Sequence, residues 1–499
     1  MTVLAHRTTA SDGKDGLARD ALAVLQPGFE GTTAPAWLLR RVGEGLTAVG
    51  LFGRNITSPE QLAALTAQLR TERDDVLVAI DEEGGDVTRL EVRGGSSFPG
   101  NLALGAVDDT GLTRDVAREL GRRLAECGVN LNWAPSADVN SNPDNPVIGV
   151  RSFGADTRLA ARHTAAYVEG LQAAGVAACT KHFPGHGDTN VDSHHALPRI
   201  DVDLDTLQAR ELVPFKAAIE AGTKAVMSAH ILVPALDPTR PATLSPQILT
   251  GLLRKELGYE GLIVTDGMEM NAIAGTYGIE RGSVLAIAAG ADAICVGGGL
   301  ADEATVLRLR DALVAAVREG TLPEERLADA AARVRELAAW TLGARPDARP
   351  EGSRASGIGL TAARRALVVT GSAGPVRNPY VATLTPVANI AVGDETPWGV
   401  AGELAALVPA TASGRYPEGA AAADILAAAG DRTVVAVVRD AHRHPWMTEA
   451  LDALVAARPD TVVVEMGLPQ AAPRGALHIA THGASRVCGR AAAEVIAGV

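Results

Sequence analysis

Aromatic residues make up only 3% of this 499-residue chain, so its cores must be built from Ala, Val, Leu and Ile. Cysteine is equally scarce. Cys127, Cys179, Cys295 and Cys488 stand far apart without metal-ligand spacing, and three lie in or beside apolar runs, so they read as buried thiols. Positive charge is in deficit: a formal charge of −13 argues against nucleic acid or an anionic membrane surface as a partner. No apolar run reaches transmembrane length. The first stretch, Met1 to Asp15, carries Asp12 and Asp15 where a secretory segment would be apolar, so the expectation is a cytoplasmic protein without a membrane partner.

What is present is the composition of a globular protein, 47% hydrophobic and 21% charged. The length exceeds that at which single cores stop growing, so two domains are expected. Strand-like runs recur at Ala21–Leu25, Ala48–Phe52, Val76–Ile80, Val129–Trp133, Val176–Thr180, Ala225–Ser228, Leu262–Thr265 and Ala291–Val296. Amphipathic segments such as Ser58–Thr71, Leu112–Cys127, Thr157–Ala174 and Leu204–Ala221 separate them. Eight short strands alternating with helices suggest an α/β chain with a (β/α)8 TIM-like barrel over residues 1–342; an open doubly wound sheet is the alternative. The Pro-, Gly- and Ser-containing stretch 343–359 reads as a linker. Residues 360–499 read as a smaller α/β sandwich domain, with strands expected at Ala366–Thr370, Ala388–Val392, Thr433–Val438, Thr461–Met466 and Ala476–Ala480.

The chemistry concentrates after strands, on the face where barrel enzymes keep their reactive groups. Behind Val176–Thr180 comes Lys181-His182-Phe183-Pro184-Gly185-His186-Gly187-Asp188-Thr189, then Asp192-Ser193-His194-His195. Four histidines, two aspartates and a lysine crowd a loop that a packed core does not require. A zinc site is one reading of it, but Pro184 and Gly185 between His182 and His186 work against a helix presenting both on one face. Acid/base work is the other. Asp192 and His194 are two residues apart, so an extended loop points both side chains one way. The carboxylate then fixes the imidazole tautomer, and the second nitrogen is free to move a proton near neutral pH.

Asp266 follows Leu262–Thr265 at a strand end and reads either as a nucleophile or general base, or as a cap of the next helix. Asp81, after Val76–Ile80, can accept hydrogen bonds from hydroxyls, whereas the run Asp81-Glu82-Glu83 also reads as a solvated loop. Arg151 reads either as a donor to a polar ligand or as half of a structural salt bridge.

The loop motif, together with Leu51-Phe52-Gly53-Arg54-Asn55, Asp81-Glu82-Glu83-Gly84-Gly85, Arg151-Ser152-Phe153 and Met227-Ser228-Ala229-His230, resembles the β-N-acetylglucosaminidases of glycoside hydrolase family 3, the NagZ type. The resemblance covers about the first 340 residues. It implies a (β/α)8 barrel that releases terminal β-linked N-acetylglucosamine with retention of configuration and needs no cofactor or metal. It further implies His194 paired with Asp192 as acid/base and Asp266 as nucleophile. Sugar contacts would come from Asp81, Arg151, Lys181 and His182, with Met227 beside them. The chain departs from the pattern in carrying Thr265-Asp266-Gly267-Met268 where many relatives show Ser-Asp-Asp-Leu. The resemblance leaves the acceptor open between water and inorganic phosphate, since the family also holds phosphorylases, and the substrate open between peptidoglycan fragments and chitin oligosaccharides. The rivals are a metal-dependent hydrolase and a non-catalytic sugar-binding protein. The sequence is silent on oligomeric state.

Overall fold

A computed structural model describes residues 10–191, 197–344, 357–387, 392–393 and 395–499, with side chains from residue 16 onward. The first eight strands are β1 (Leu25–Pro27), β2 (Ala48–Leu51), β3 (Leu77–Ile80), β4 (Leu131–Asn132), β5 (Ala177–Phe183), β6 (Ala225–Ser228), β7 (Leu262–Thr265) and β8 (Ile294–Val296). β2 to β7 form one parallel sheet in chain order, and β1 pairs with β8, also parallel. A parallel bridge between Val264 and Ala293 continues the sheet from β7 to β8. Between β1 and β2 the seam is stitched by a side chain: Asn55 Nδ2 donates to the Phe29 carbonyl at 2.9 Å and to that of Gly31 at 2.7 Å. The result is a curled parallel sheet of barrel type.

One expected strand is corrected. Residues 21–23 are the last turn of a helix, Ala10–Ala23, and β1 begins only at Leu25. A short run of Ala, Leu and Val fits a buried helix end as well as a strand, and Ala and Leu favour the helix.

The strands bury two distinct faces. Outward residues such as Val78, Ile80, Val226 and Ile263 pack under the helices. Inward residues Leu77, Ala79, Leu131, Trp133, Ala177, Cys179, Ala225, Met227, Leu262 and Val264 fill the barrel, which Val334, Leu337 and Ala338 of the helix Glu324–Gly343 plug from below. The bulk of Trp133, one of five tryptophans, offsets the many alanines: a Cβ on Gly50 would lie 2.8 Å from its ring. All four cysteines are buried and unpaired.

A second sheet holds β9 (Val368–Gly371), β10 (Pro379–Thr385), β11 (Ala412–Pro417), β12 (Thr433–Val438), β13 (Val462–Glu465) and β14 (Leu477–Ala480). Its order is β11-β10-β12-β13-β14-β9, parallel except for β9 against β14. Val381, Val435 and Val437 face one helix layer, and Ala382, Val434 and Ala436 the other, so this is an α/β sandwich. β10 and β11 were not foreseen, and most of the strand expected at 388–392 lies outside the described residues. Among the described residues no helix is long and apolar enough to cross a membrane.

The second sheet packs onto the barrel mouth. The Arg439 guanidinium reaches Asp86 at 2.5 Å, and the Ala484 amide donates to the same carboxylate at 2.7 Å. His442 Nε2 donates to the Pro143 carbonyl at 3.0 Å.

Candidate active site

Alternation along the barrel strands builds the site. Leu77 and Ala79 point inward, so Asp81 and then Glu83 continue on the inner side past the strand end. The same spacing carries Cys179 to Lys181 and Val264 to Asp266, while Met227 ends the inward row of β6. The inward rows of β3, β5 and β7 are thus capped by ionisable side chains. These residues line one cavity of about 640 Å³ with Arg151, His182 and His186.

Glu83 is the electrostatic hub. It is buried, receives a two-pronged contact from Arg151 (Nε at 3.0 Å, Nη2 at 2.7 Å), and lies 2.7 Å from Lys181 Nζ. Burial alone would raise its pKa, but the two cations outweigh it and hold the carboxyl well below the usual range. Lys181 also donates to Asp81 at 2.6 Å, and its pKa is raised because Asp81 and Glu83 overcome the burial that would lower it. Four charges therefore balance: Asp81 and Glu83 against Lys181 and Arg151. Arg151 serves the salt bridge of its two readings, and its Nη2 stays 3.4 Å from His182 Nε2.

Asp138 orders the histidine loop. Its Oδ2 accepts from His182 Nδ1 at 2.7 Å and from Ser136 at 2.8 Å. Its Oδ1 accepts the backbone amides of His182 at 3.2 Å and His186 at 2.7 Å. This fixes the proton of His182 on Nδ1 and turns Nε2 toward Arg151. Burial works against the Asp138 charge, yet the His182 imidazole bonded to it outweighs burial and brings its pKa down to about 2. His186 is buried with neither ring nitrogen bonded among the described residues, and burial pushes its pKa to about 4, so it is neutral at pH 7.

Asp266 Oδ1 accepts its neighbour Gly267's amide at 2.8 Å. Beside it, His230 donates from Nε2 to the Gly267 carbonyl at 2.9 Å, which pins the turn after β7. Asp192 and His194 lie outside the described residues. The loop leading to them is tied down: Asp188 pairs with Arg210 at 2.6 Å, and Asn142 donates to the Asn190 side chain at 2.5 Å.

Glu83 and Asp138 were the residues that sequence reasoning did not single out. Glu83 continues the Leu77-Ala79-Asp81 alternation, a signal that was available. Asp138 is the one charge between Cys127 and Pro143, a second such signal. Among the described residues no three His, Cys, Asp or Glu side chains gather in a metal-ligand arrangement.

Comparison with known proteins bears on this geometry. Residues 38–337 match the family described as Glycosyl hydrolase family 3 N terminal domain. The chain belongs to glycosyl hydrolase family 3. Within that family it is similar to beta-hexosaminidase A of Pseudoalteromonas piscicida, 38% identical over 312 residues, 58% of this chain and 52% of that protein. The chain thus spans about half the length of this relative. It is also similar to a beta-hexosaminidase of Neisseria gonorrhoeae (strain ATCC 700825 / FA 1090), 35% identical over 52% of this chain and 73% of the relative. A solved family 3 beta-N-acetylglucosaminidase from Paenibacillus sp. str. FPU-7 superposes with a TM-score of 0.86 at 34% identity, covering 97% of this chain and 96% of that one. That superposition spans the barrel and the sandwich together.

Proposed function

We propose that this family 3 protein is a retaining exo-β-N-acetylglucosaminidase acting on terminal β-linked N-acetylglucosamine in peptidoglycan fragments or chitin oligosaccharides. The observation that carries the reading is the cavity itself. Asp266 stands on a rigid strand end, facing a charge-balanced group of Asp81, Lys181 and Arg151 that can hold sugar hydroxyls, with the histidine loop as its wall.

On this reading Asp81, Lys181, Arg151, His182 and Met227 hold the terminal sugar, and Asp266 attacks the anomeric carbon. His194, oriented by Asp192, protonates the departing oxygen through an oxocarbenium-like transition state. The covalent glycosyl-aspartate is then resolved by water, with His194 now taking the proton. An imidazole in place of the usual second carboxylate reduces repulsion toward an anionic acceptor, so phosphate is the alternative nucleophile for the second step. The catalytic unit is residues 1–342, joined through 343–359 to the sandwich of residues 360–499.

NMR of the products made with and without inorganic phosphate tests the reading. A β-configured free sugar as first product, unaffected by phosphate, is the expected outcome. An α-configured first product would end the retaining mechanism, and a phosphate-dependent glycosyl phosphate would reassign the acceptor.

A further inference from the structure

The sandwich carries a crevice of its own. β10 lies between β11 and β12, and the chain leaves β10 toward one side and β12 toward the other. The two connections also take opposite faces: Leu404 of the helix after β10 packs in one apolar layer, Met447 and Leu451 of the helix after β12 in the other. This is a topological switch point, where open α/β sheets form ligand crevices outside the strands' carboxyl ends. A cavity of about 420 Å³ sits at that place, lined by Thr385 at the end of β10, by Pro386 after it, and by Arg439, Asp440 and Arg443 after β12. Val147, Arg151, Val392, Gly393 and Glu395 line both this cavity and the barrel cavity, so the two are continuous.

Both cavities are lined by charge of both signs. The barrel cavity sets Asp81, Glu83, Asp266 and Glu269 against Arg54, Arg89, Arg151 and Lys181, while the crevice adds Arg415 and Arg443 beside Asp440 and the shared Glu395. Arg439, the third arginine there, is engaged with Asp86. Arg415 is exposed and Arg443 half-buried, and among the described residues neither guanidinium makes an ion pair or hydrogen bond. Two unengaged planar donors at a switch point are suited to an oxyanion.

We propose that this crevice is the leaving-group subsite, and that Arg415 and Arg443 there bind a carboxylate carried by the sugar that departs. The assignment rests on the glycosidase reading and deepens it: the terminal sugar occupies the barrel mouth beside Asp266, and the remainder of the substrate reaches the arginines. Neutral chitin oligosaccharides leave these two residues without a partner, whereas a saccharide acid satisfies them.

The test compares N,N′-diacetylchitobiose with the same disaccharide bearing a lactyl ether on its second sugar, using the full chain and its Arg443→Ala and Arg415→Glu variants. Each variant is expected to lower the acid-over-neutral ratio of kcat/KM by about tenfold, carried by KM, with the neutral substrate nearly unaffected. An unchanged ratio, or equal losses on both substrates, overturns the subsite. Loss of a phosphate-stimulated reaction in the variants, with the ratio intact, also overturns it and assigns the arginines to inorganic phosphate. Should the unaltered protein turn over neither disaccharide, the glycosidase reading itself fails. Calorimetric binding of the lactyl disaccharide then still reads the crevice, and equal Kd values for the protein and both variants reject it.

Discussion

Asp266 owes its position to one residue of alternation beyond Val264, and on the proposed reading it is the atom source of the covalent bond. Asp266→Ala is expected to lower kcat by at least about 10³-fold with an unchanged circular dichroism spectrum. Near-normal turnover would remove it from the role. Chelation offers an independent check, since neither the proposed proton transfer nor the nucleophilic attack uses a metal. Turnover after EDTA dialysis should match the untreated protein, and collapse would favour the metal-dependent rival. A different kind of test comes from Glu82, whose Oε2 accepts from Thr88 at 3.0 Å and from the amides of Arg89 and Leu90 at 2.8 Å each. Those bonds favour the ionised form, but burial outweighs them and raises the pKa to about 7. A carboxyl that holds its proton more tightly when folded adds stability fully present below its unfolded pKa, and that stability is lost as pH rises through the folded value. Glu82→Gln keeps an acceptor and removes the titration. The unfolding free energy of the unaltered protein, relative to this variant, should fall as pH climbs from about 5 to 8, by on the order of 3 kcal/mol at most, and its relative melting temperature should fall with it. A constant difference or a rise would show that Glu82 stays ionised.

At the scale of elements, the histidine loop is held by close packing as much as by hydrogen bonds. A Cβ on Gly187 would lie 1.7 Å from the Val139 carbonyl oxygen, beside the Asp138 that orders His182. Gly187→Ala must push the loop off the segment that follows β4, at a cost of about 1–3 kcal/mol in stability. Because the loop follows His182 at the end of β5 and leads to His194, KM and kcat should both worsen while the fold survives. An unaltered melting temperature would mean that the contact yields freely. The strands that place these loops were legible where both faces are apolar, as in β3 and β7, since burial on both sides writes a near-continuous run of Val, Ile and Leu. They were not legible in the sandwich's outer pair. β11, Ala-Ser-Gly-Arg-Tyr-Pro, alternates half-buried with exposed positions at the sheet edge. β10 opens on Pro379 and mixes Tyr, Ala and Thr, although its pairing with β11 and β12 buries it. The helix end at Ala21–Ala23 was misread for the converse reason, an apolar run with no periodicity to tell its structure. The site divides in the same way: strand-end positions such as Asp81, Lys181 and Asp266 follow from alternation, whereas the pairing of Glu83 with both Arg151 and Lys181 joins residues 68 and more positions apart.

For the whole molecule, the question is what fixes the sandwich over the barrel mouth, because the crevice and the barrel cavity share a wall. The Arg439–Asp86 pair is the most buried charged contact across that junction, with side-chain exposures of 14% and 2%. Asp86 leaves the same loop as Glu83, so this ion pair ties the second sheet to the element that organises the site. Burial raises the Asp86 pKa even with Arg439 beside it. Arg439→Ala removes that cation and leaves a buried carboxylate with the Ala484 amide as its remaining partner among the described residues, a change that costs about 3–5 kcal/mol. The sign of the pH dependence follows: the stranded carboxyl has a folded pKa raised further above its unfolded value, so the variant is best tolerated at acid pH and loses stability as pH rises. Asp86→Ala combined with Arg439→Ala removes the charge as well as its partner, and should recover most of the loss at neutral pH. Denaturant unfolding of the three variants at acid and neutral pH reads both effects. A single Arg439→Ala variant as stable as the double at neutral pH would mean that Asp86 is solvated, and that other contacts hold the sandwich over the cavity.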